Sequence, residues 1–336
     1  MPTLLLSDRD VARFLPVAEC IDVMAGALRH VAEGEAQLPL RTVLPLAGTP
    51  NAFATMPAIL GQGADASLGA KIITVFPDNV TTPFDSHIGV VLLFDAAHGT
   101  LQAIADASSI TAIRTSAVSG LATRLLANED SSELAILGAG VLAMPHLEAM
   151  CAVRPIRRVR VWSRSGTSAA AFAERARARF PLEVTAVASA REAVEGVDIV
   201  CTITAARTPV LEGAWLSSGT HVNAVGASLP AARELDTAAV VRSRMYVDRR
   251  ESAMREAGDF LIPRSEGAIG DEHIVGEIGD VLAGKLEGRV SRADVTLFKS
   301  LGLAVEDVAA LRHVYERARA AGAGMEVSLG GLRSDH

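Results

Sequence analysis

Three cationic residues lie in or beside apolar stretches, where a charged side chain needs a chemical reason. Lys71 interrupts the strand-like run 68–76, and Arg41 and Arg114 adjoin other apolar runs. A buried lysine has a lowered pKa and can exchange protons, and an arginine can bind a carboxylate or phosphate through two parallel hydrogen bonds. Together they predict a small anionic substrate. The alternatives are a lysine that reaches solvent from a sheet edge and an arginine that caps a helix.

The sequence lacks the patterns of several common enzyme classes. It shows no paired carboxylates for glycoside-type hydrolysis and no G-x-S-x-G turn for a nucleophile. His87 and His146 each stand alone, and the three cysteines form no metal-binding pattern. We therefore expect neither hydrolysis of these types nor a metal site.

A glycine-rich turn follows an apolar strand and opens a helix. The turn is Gly138-Ala139-Gly140-Val141-Leu142-Ala143, which matches the pattern G-x-G-x-x-A. The first glycine permits a tight turn, the second lets the backbone approach a pyrophosphate, and the small last residue lets the helix pack against the strand. The helix amides then face the phosphate charge. The pattern predicts dinucleotide binding, with a plain glycine-rich turn as the alternative.

The end of the next strand bears on which dinucleotide binds. NAD-binding units commonly carry an acidic residue there, about 20 residues after the glycines. This chain has Ser163-Arg164-Ser165 instead, so Arg164 can pair with a 2′-phosphate while the neighbouring hydroxyls, including that of Thr167, donate hydrogen bonds. We favour NADPH, with NADH as the second choice. The alternative for Arg164 is a solvated surface arginine.

Two stretches of different pattern must position these residues. Residues 1–118 mix helix and strand signals, with a capped helix start at Ser7, a longer helix after Pro16 and a hairpin turn at 96–99, which indicates an antiparallel or mixed sheet. From residue 119 onward strand, turn and helix alternate, which is typical of parallel βαβ units. Strands are predicted at 41–44, 53–56, 68–76, 89–95, 101–104, 133–137, 159–163, 182–187, 199–202, 221–225 and 245–247, and a final helix at 305–320.

Composition limits the class of protein. A chain of 336 residues with 49% hydrophobic and 21% charged residues suits a two-domain globular enzyme. The net charge of -7 argues against a nucleic-acid partner. The few, widely spaced cysteines, the short apolar start of the chain and the lack of a long apolar stretch predict no disulfide framework, signal peptide or membrane span. A cytoplasmic protein is expected.

The order of motifs resembles the ornithine cyclodeaminase/mu-crystallin family from about residue 35 to residue 325. The matching segments are Arg41, Met56-Pro57, Lys71, Phe76-Pro77-Asp78-Asn79, Leu93-Phe94-Asp95, Thr111-Ala112-Ile113-Arg114-Thr115, the glycine turn, Val222-Asn223-Ala224-Val225-Gly226-Ala227, Glu234-Leu235-Asp236 and Lys299-Ser300-Leu301-Gly302. In combination these segments are far more specific than the glycine turn alone.

The resemblance implies an α/β protein that forms a homodimer. A Rossmann NAD(P)-binding domain would span 119–312, inserted into an α+β substrate-binding and dimerisation domain formed by 1–118 with 313–336. A substrate carboxylate would be held by Arg41, Lys71 and Arg114, with Leu301 on the substrate side. The predicted cofactor contacts, including the glycines of the turn, are Ser86, Arg114, Thr115, Gly138, Gly140, Val141, Leu142, Ser163, Arg164, Ser165, Thr204, Val225 and Ser300.

Ser228 distinguishes branches of the family that this chain resembles. Members that act on ornithine carry Asp at this position, whereas the mu-crystallin-like ketimine reductases, which use NADPH, carry Ser after Gly-Ala, as in Gly226-Ala227-Ser228. A neutral hydroxyl neither binds a distal amine nor acts as a base as well as a carboxylate does. Two departures stand out, since Leu142 replaces a frequent Gln and Ser86 replaces the usual Thr.

The sequence therefore predicts an NAD(P)H-dependent oxidoreductase of proline metabolism that reduces cyclic ketimine acids such as Δ1-pyrroline-2-carboxylate or Δ1-piperideine-2-carboxylate. Lys71 would bind the carboxylate and keep the imine nitrogen protonated, directly or through water, and Ser228 would orient that water or the nitrogen. Four alternatives stay open: an ornithine cyclodeaminase with bound NAD, an NAD-linked alanine-type dehydrogenase, a redox-free lyase acting on a hydroxyproline, and a non-catalytic protein that binds NADPH or a small ligand.

Overall fold

The chain folds into two units. A computed structural model describes residues 2–330, with Val80 and Thr81 described by their backbone alone. The first unit is Met1–Arg114 with Leu303–His336, and the second is Thr115–Gly302.

The elements are numbered in chain order. The strands are β1 (Thr3–Leu6), β2 (Ala36–Gln37), β3 (Thr42–Pro45), β4 (Ala52–Leu60), β5 (Ser67–Val75), β6 (His87–Phe94), β7 (Leu101–Asp106), β8 (Glu133–Leu137), β9 (Arg158–Trp162), β10 (Glu183–Ala186), β11 (Ile199–Thr202), β12 (His221–Ala224), β13 (Ser243–Val247), β14 (Ile274–Glu277), β15 (Val295–Lys299) and β16 (Met325–Val327). The helices are α1 (Asp8–Phe14), α2 (Val17–Ala32), α3 (Ala107–Leu126), α4 (Ala143–Val153), α5 (Gly166–Arg179), α6 (Ala190–Val194), α7 (Thr237–Val241), α8 (Arg250–Glu256), α9 (Gly258–Ser265), α10 (Ile278–Leu282) and α11 (Ala304–Ala320).

The first unit is built on a mixed sheet. Its strands follow the order β16-β1-β7-β6-β5-β4-β2, and β3 also pairs with β4. The β1–β7 pair is parallel and the others are antiparallel. Lys71 on β5 pairs with Met56 on one side and Val91 on the other. It therefore lies on an interior strand, so the sheet-edge alternative for this lysine was wrong.

Helix α11 covers one face of this sheet and packs against β4, β5, β6 and α2. Its residues Val308, Leu311 and Val314 are fully buried. At Gly69 on β5 a Cβ atom would lie 2.8 Å from the Val308 side chain, so glycine lets the helix approach the strand closely. This packing holds the first turn of α11 against the strand that carries Lys71.

The second unit is a doubly wound Rossmann-type sheet. Its eight strands follow the order β10-β9-β8-β11-β12-β15-β13-β14, and every neighbouring pair is parallel. The strand order reverses between β8 and β11. Open α/β sheets bind ligands beyond the carboxyl ends of the strands at such a reversal. The glycine turn directly follows β8 and lies at this position.

The predicted domain boundaries, 118/119 and 312/313, fall inside helices α3 and α11. The structure divides instead at Arg114/Thr115 and at Gly302/Leu303, so the whole of α11 belongs to the first unit. The buried face of α11 against β4, β5 and β6 accounts for this placement.

Most predicted elements are present, within a few residues of their observed ends, but several were not recognised. The unrecognised strands include β14 and β15, and the unrecognised helices are α3 and the short helices α6, α7, α8, α9 and α10. Strand β15 is short, yet all five of its residues are buried. Helix α3 has small or apolar residues around most of its circumference, so it lacks the polar and apolar stripes that reveal a surface helix.

Cys20, Cys151 and Cys201 are free thiols. Among residues 2–330, no helix has both the length and the apolar character needed to cross a bilayer.

Candidate functional site

The first unit brings Lys71 and Arg114 together around two buried carboxylates. The Lys71 Nζ atom lies 2.8 Å from Asp307 Oδ2, and Arg114 Nε lies 3.0 Å from Asp307 Oδ1. Arg114 also places Nη1 2.7 Å from Glu306 Oε2. Lys71 and Arg114 are 3% and 4% exposed, and both carboxylates are fully buried. The cluster therefore pairs both cations with anions inside the protein.

This arrangement corrects the expectation that the chain holds no paired carboxylates. Glu306 and Asp307 are adjacent residues in the first turn of α11. Acidic residues in that position commonly interact with the helix dipole at the surface, so their pattern gave no sign of burial. Only the packing of α11 against the sheet shows that they face Lys71 and Arg114.

The surroundings change the proton affinity of Lys71. The pKa of its ammonium is lowered to about 8, because burial, with the charges of Arg114 and Arg41, outweighs the opposing effect of Asp307. Burial alone would raise the pKa of Asp307, but the charges of Arg114 and Lys71 outweigh that effect and lower it. Asp307 is thus held as an anion, and Lys71 can gain or lose a proton near neutral pH.

Arg41 and Ser86 lie in the same unit as this cluster. Arg41 is half-buried directly before β3, and its charge lowers the pKa values of both Lys71 and His87. For His87 the largest cause is burial, followed by the charge of Lys71. The Ser86 hydroxyl lies 3.0 Å from His87 Nδ1. Residues 41, 71, 87 and 114 are thus electrostatically coupled.

The glycine turn in the second unit has the geometry that a bound pyrophosphate requires. Gly138 has φ +114°, and a Cβ atom there would lie 2.7 Å from the Ile203 carbonyl oxygen, so only glycine suits this position. At Gly140 a Cβ atom would meet no other atom within 4 Å, which leaves open space beside the backbone. Helix α4 follows with Leu142 as its N-cap and no side-chain cap hydrogen bond. These features fit a dinucleotide whose phosphates approach the turn and the helix amides.

His146 stabilises the start of α4, whereas Val141 within the turn is exposed. Val141 is 71% exposed, whereas His146 is fully buried. The His146 Nδ1 atom lies 2.8 Å from the Leu142 carbonyl oxygen, and burial lowers the pKa of its imidazole to about 4. His146 is therefore a neutral structural residue that holds the start of α4.

The run Ser163-Arg164-Ser165 directly follows β9, which neighbours β8 in the sheet. Gly138 N–H donates to the Trp162 carbonyl oxygen at 2.8 Å, which joins this strand end to the glycine turn. Ser165 is the N-cap of α5, and its hydroxyl lies 2.7 Å from that of Thr167. Arg164 is exposed at this helix start. A phosphate beside Arg164 would meet hydroxyls and helix amides.

Glu234 has a role that sequence analysis did not assign. Its fully buried carboxylate accepts hydrogen bonds from the hydroxyl of Thr202 at 2.8 Å, from the amide and hydroxyl of Thr204 at 2.7 Å each, and from the amide of Gly226 at 2.7 Å. These donors stand at the carboxyl ends of β11 and β12. Glu234 therefore ties together the two loops that carry the predicted cofactor contacts Thr204 and Val225. Its place in the motif Glu234-Leu235-Asp236 was the available signal.

The remaining predicted residues of the second unit are partly buried in its interior and partly exposed on a loop. Ser300 N–H donates to the Ala224 carbonyl oxygen at 3.0 Å, and Leu301 is buried in the apolar core of the unit. Thr115 is buried on α3. Ser228 is exposed on the loop after β12. The predicted site residues thus divide between the units: Arg41, Lys71, Ser86 and Arg114 belong to the first, and all others to the second.

Comparison with known proteins gives a consistent assignment. The model of the ornithine cyclodeaminase/mu-crystallin family matches residues 1–322. The chain is 39% identical to the mouse ketimine reductase mu-crystallin over 284 residues, which are 84% of this chain and 86% of the mouse protein. Δ1-pyrroline-2-carboxylate reductase of Thermococcus litoralis, solved with NADH and L-proline, is 38% identical and superposes with a TM-score of 0.94 over 97% of this chain and 100% of that one.

A second solved structure, an archaeal alanine dehydrogenase dimer with bound NAD, is 31% identical. It superposes with a TM-score of 0.92 and covers 98% of this chain and 100% of that one. The fold of the whole chain is therefore shared with nucleotide-dependent dehydrogenases and reductases. The chain belongs to the ornithine cyclodeaminase/mu-crystallin family.

Proposed function

We propose that this protein uses NADPH to reduce cyclic ketimine acids, converting Δ1-pyrroline-2-carboxylate to L-proline and Δ1-piperideine-2-carboxylate to L-pipecolate. The observation that carries the proposal is the buried cluster in which Lys71 and Arg114 share the carboxylate of Asp307. A proton donor beside fixed cations suits an imine that carries a carboxylate. The family and the two reductases to which the chain is similar support the same chemistry.

The residues of the first unit would bind and orient the substrate. Arg41 and Arg114 would hold its carboxylate, with the ammonium of Lys71 as a third positive charge. Arg114 is already anchored by Glu306 and Asp307, so its guanidinium is pre-organised and loses little freedom on binding. The bound dinucleotide would supply a hydride to the imine carbon beside that carboxylate.

Lys71 would supply the proton that the imine nitrogen needs. A protonated imine is the better hydride acceptor, so a donor at this nitrogen speeds the reaction. The Lys71 pKa of about 8 places the ammonium close to the pH at which it both holds and releases a proton efficiently. Ser228, on its exposed loop, would orient the nitrogen or an intervening water.

The second unit would hold the dinucleotide. Gly138, Gly140 and the start of α4 would receive the pyrophosphate, and Arg164 would pair with the 2′-phosphate of NADPH. The exposed position of Arg164 beside the start of α5 supports this preference. NADH is the second choice, and the Thermococcus litoralis reductase was solved with it.

A homodimer formed through the first unit is part of the proposal. Leu44, Phe53 and Ile88 lie in one cross-strand row with Thr74 and are 58%, 41% and 43% exposed. Exposed apolar groups of this kind mark protein–protein contacts. Sedimentation of the purified protein should give the mass of a dimer, and a monomer at micromolar concentration would contradict this part.

A cytoplasmic location also belongs to the proposal, and cell fractionation tests it.

The decisive experiment follows NADPH absorbance after addition of Δ1-pyrroline-2-carboxylate. NADH replaces NADPH in one comparison, and L-ornithine or pyruvate with ammonia replaces the imine in others. Rapid NADPH oxidation with the cyclic imine is expected. Ammonia release from ornithine without NADPH oxidation would instead establish a cyclodeaminase, and activity confined to pyruvate would establish an alanine-type dehydrogenase.

A further inference from the structure

Asp307 occupies a special position in the cation cluster. Lys71 lies on interior strand β5, and Asp307 reaches it from the first turn of α11 with a separation of 2.8 Å. The other oxygen of the same carboxylate lies 3.0 Å from Arg114 Nε. One buried anion therefore fixes the two cations relative to each other.

Glu306 is placed differently although it is the adjacent residue. Its Oε2 atom contacts Arg114 Nη1 at 2.7 Å, whereas the Asp307 carboxylate contacts both Arg114 and Lys71. The pair thus provides an internal comparison, because both carboxylates are fully buried and Asp307 is the one whose Oδ2 atom lies 2.8 Å from the Lys71 ammonium.

We propose that Asp307 is a positioning residue for the reduction proposed above, which holds the Lys71 ammonium in place and keeps it charged until its proton passes to the substrate. In that step one N–H bond of Lys71 breaks and one forms at the imine nitrogen, while the electron pair for the new C–H bond arrives with the hydride of reduced nicotinamide. Lys71 is left as a neutral amine and regains a proton from water. The inference rests on the proposed function.

The charged groups around Lys71 set the expected direction of the effect. They are Asp307 and Glu306 on α11, Arg114 on α3, Arg41 before β3 and His87 on β6. Asp307 raises the pKa of Lys71, whereas burial and the two arginines lower it. Replacing the Asp307 carboxylate with a neutral amide should therefore lower the pKa of Lys71. The ammonium that donates the proton is then lost at a lower pH than in the wild type.

The test is the pH dependence of kcat/KM for Δ1-pyrroline-2-carboxylate in wild type and Asp307→Asn. The alkaline decrease in activity should move down by about one pH unit or more in the variant, since a lost anionic partner changes a pKa by that order. The Kd for NADPH should stay within about twofold, well under the factor of ten that 1.4 kcal/mol represents. An unchanged alkaline midpoint with merely lower activity would overturn the proposal and leave Asp307 a structural role.

Two further variants sharpen the result. Glu306→Gln removes a buried charge from the same cluster without removing the partner of Lys71, so its midpoint should move less than that of Asp307→Asn. Asp307→Glu keeps the charge and changes its reach, so turnover should fall while the midpoint stays near the wild-type value. If Asp307→Asn fails to fold, a midpoint shift of a full unit in Asp307→Glu would itself contradict the proposal. Wild type without NADPH oxidation would refute the proposed function instead.

Discussion

Lys299 and Asp259 form an ion pair of 2.9 Å in which neither side chain is exposed to solvent. The second oxygen of Asp259 accepts hydrogen bonds from the backbone amides of Glu234 and Leu235, at 2.8 and 3.0 Å. The pair therefore connects the end of β15 with the segment that carries Glu234. Through Glu234 it also supports the loops after β11 and β12.

Loss of the Lys299 ammonium should destabilise the protein strongly. Lys299→Met leaves Asp259 as an uncompensated buried charge, which typically costs about 3–5 kcal/mol. Urea denaturation, monitored by circular dichroism, measures the change. The control is Arg292→Ala, which removes an ion pair with Asp130 whose side chains are 74% and 69% exposed, and it should change stability by less than about 1 kcal/mol. Equal losses in the free energy of unfolding for the two substitutions would show that burial does not make the Lys299–Asp259 pair more important than an exposed pair.

Glu234→Gln should weaken binding of the dinucleotide more than it weakens binding of the imine substrate. Its carboxylate accepts hydrogen bonds from Thr204 and Gly226, and an amide nitrogen in that place would face the same donors. We expect the Kd for NADPH to rise by about ten- to a hundredfold, equivalent to the loss of one charge-assisted hydrogen bond of about 1.5–3 kcal/mol. Fluorescence titration measures the Kd, with the exposed Glu174→Gln as a control. A Kd equal to that of the wild type would show that the hydrogen bonds of Glu234 do not contribute to cofactor binding.

Arg164→Ala tests the preference for the phosphorylated dinucleotide. The KM for NADPH should rise by about ten- to a hundredfold, the range expected when one charge-assisted pair with a phosphate is lost. The KM for NADH should change little, because NADH lacks the 2′-phosphate. Initial rates with both cofactors give the comparison. A similar change in KM for both cofactors would show that Arg164 does not contact the 2′-phosphate and is a solvated surface arginine.

Lys71→Met should abolish turnover and leave NADPH bound. Methionine preserves much of the volume of the side chain but cannot donate a proton, and general acid catalysis contributes about 10²–10⁴-fold in rate. Steady-state kinetics and a separate NADPH titration distinguish the two effects. If turnover were retained at the wild-type level, Lys71 would have no part in the mechanism.

The wild-type enzyme should lose activity at alkaline pH. The pKa of Lys71 is about 8, so the ammonium is present below this pH and is lost above it. The rate should therefore be nearly constant below pH of about 7 and decrease about tenfold per unit well above the pKa, as for a single required acid. The Kd for NADPH measured over the same range serves as the reference. A rate that rises with pH would show that a base, and not an acid, limits the reaction.

Local sequence was sufficient for the features that depend on neighbouring residues in the chain. The turn at 138–143, the alternation of strands and helices after residue 119, and the unusual placement of Lys71 and Arg114 all followed from short patterns. Such patterns reflect backbone geometry and burial of one face, which are properties of a few adjacent residues. The family could be identified because several of these patterns occur in a fixed order.

The charge partners depend on distant parts of the chain. Arg114 contacts Glu306 and Asp307 from 192 and 193 residues away. Asp259 pairs with Lys299, which belongs to a recognised motif but whose ionic partner no local pattern indicates. A buried ion pair forms only where packing brings both groups out of water at once. Helix α11 supplies that packing in the first unit, and the crossing from α9 to β15 supplies it in the second. These contacts arise from topology, which no short stretch of sequence encodes.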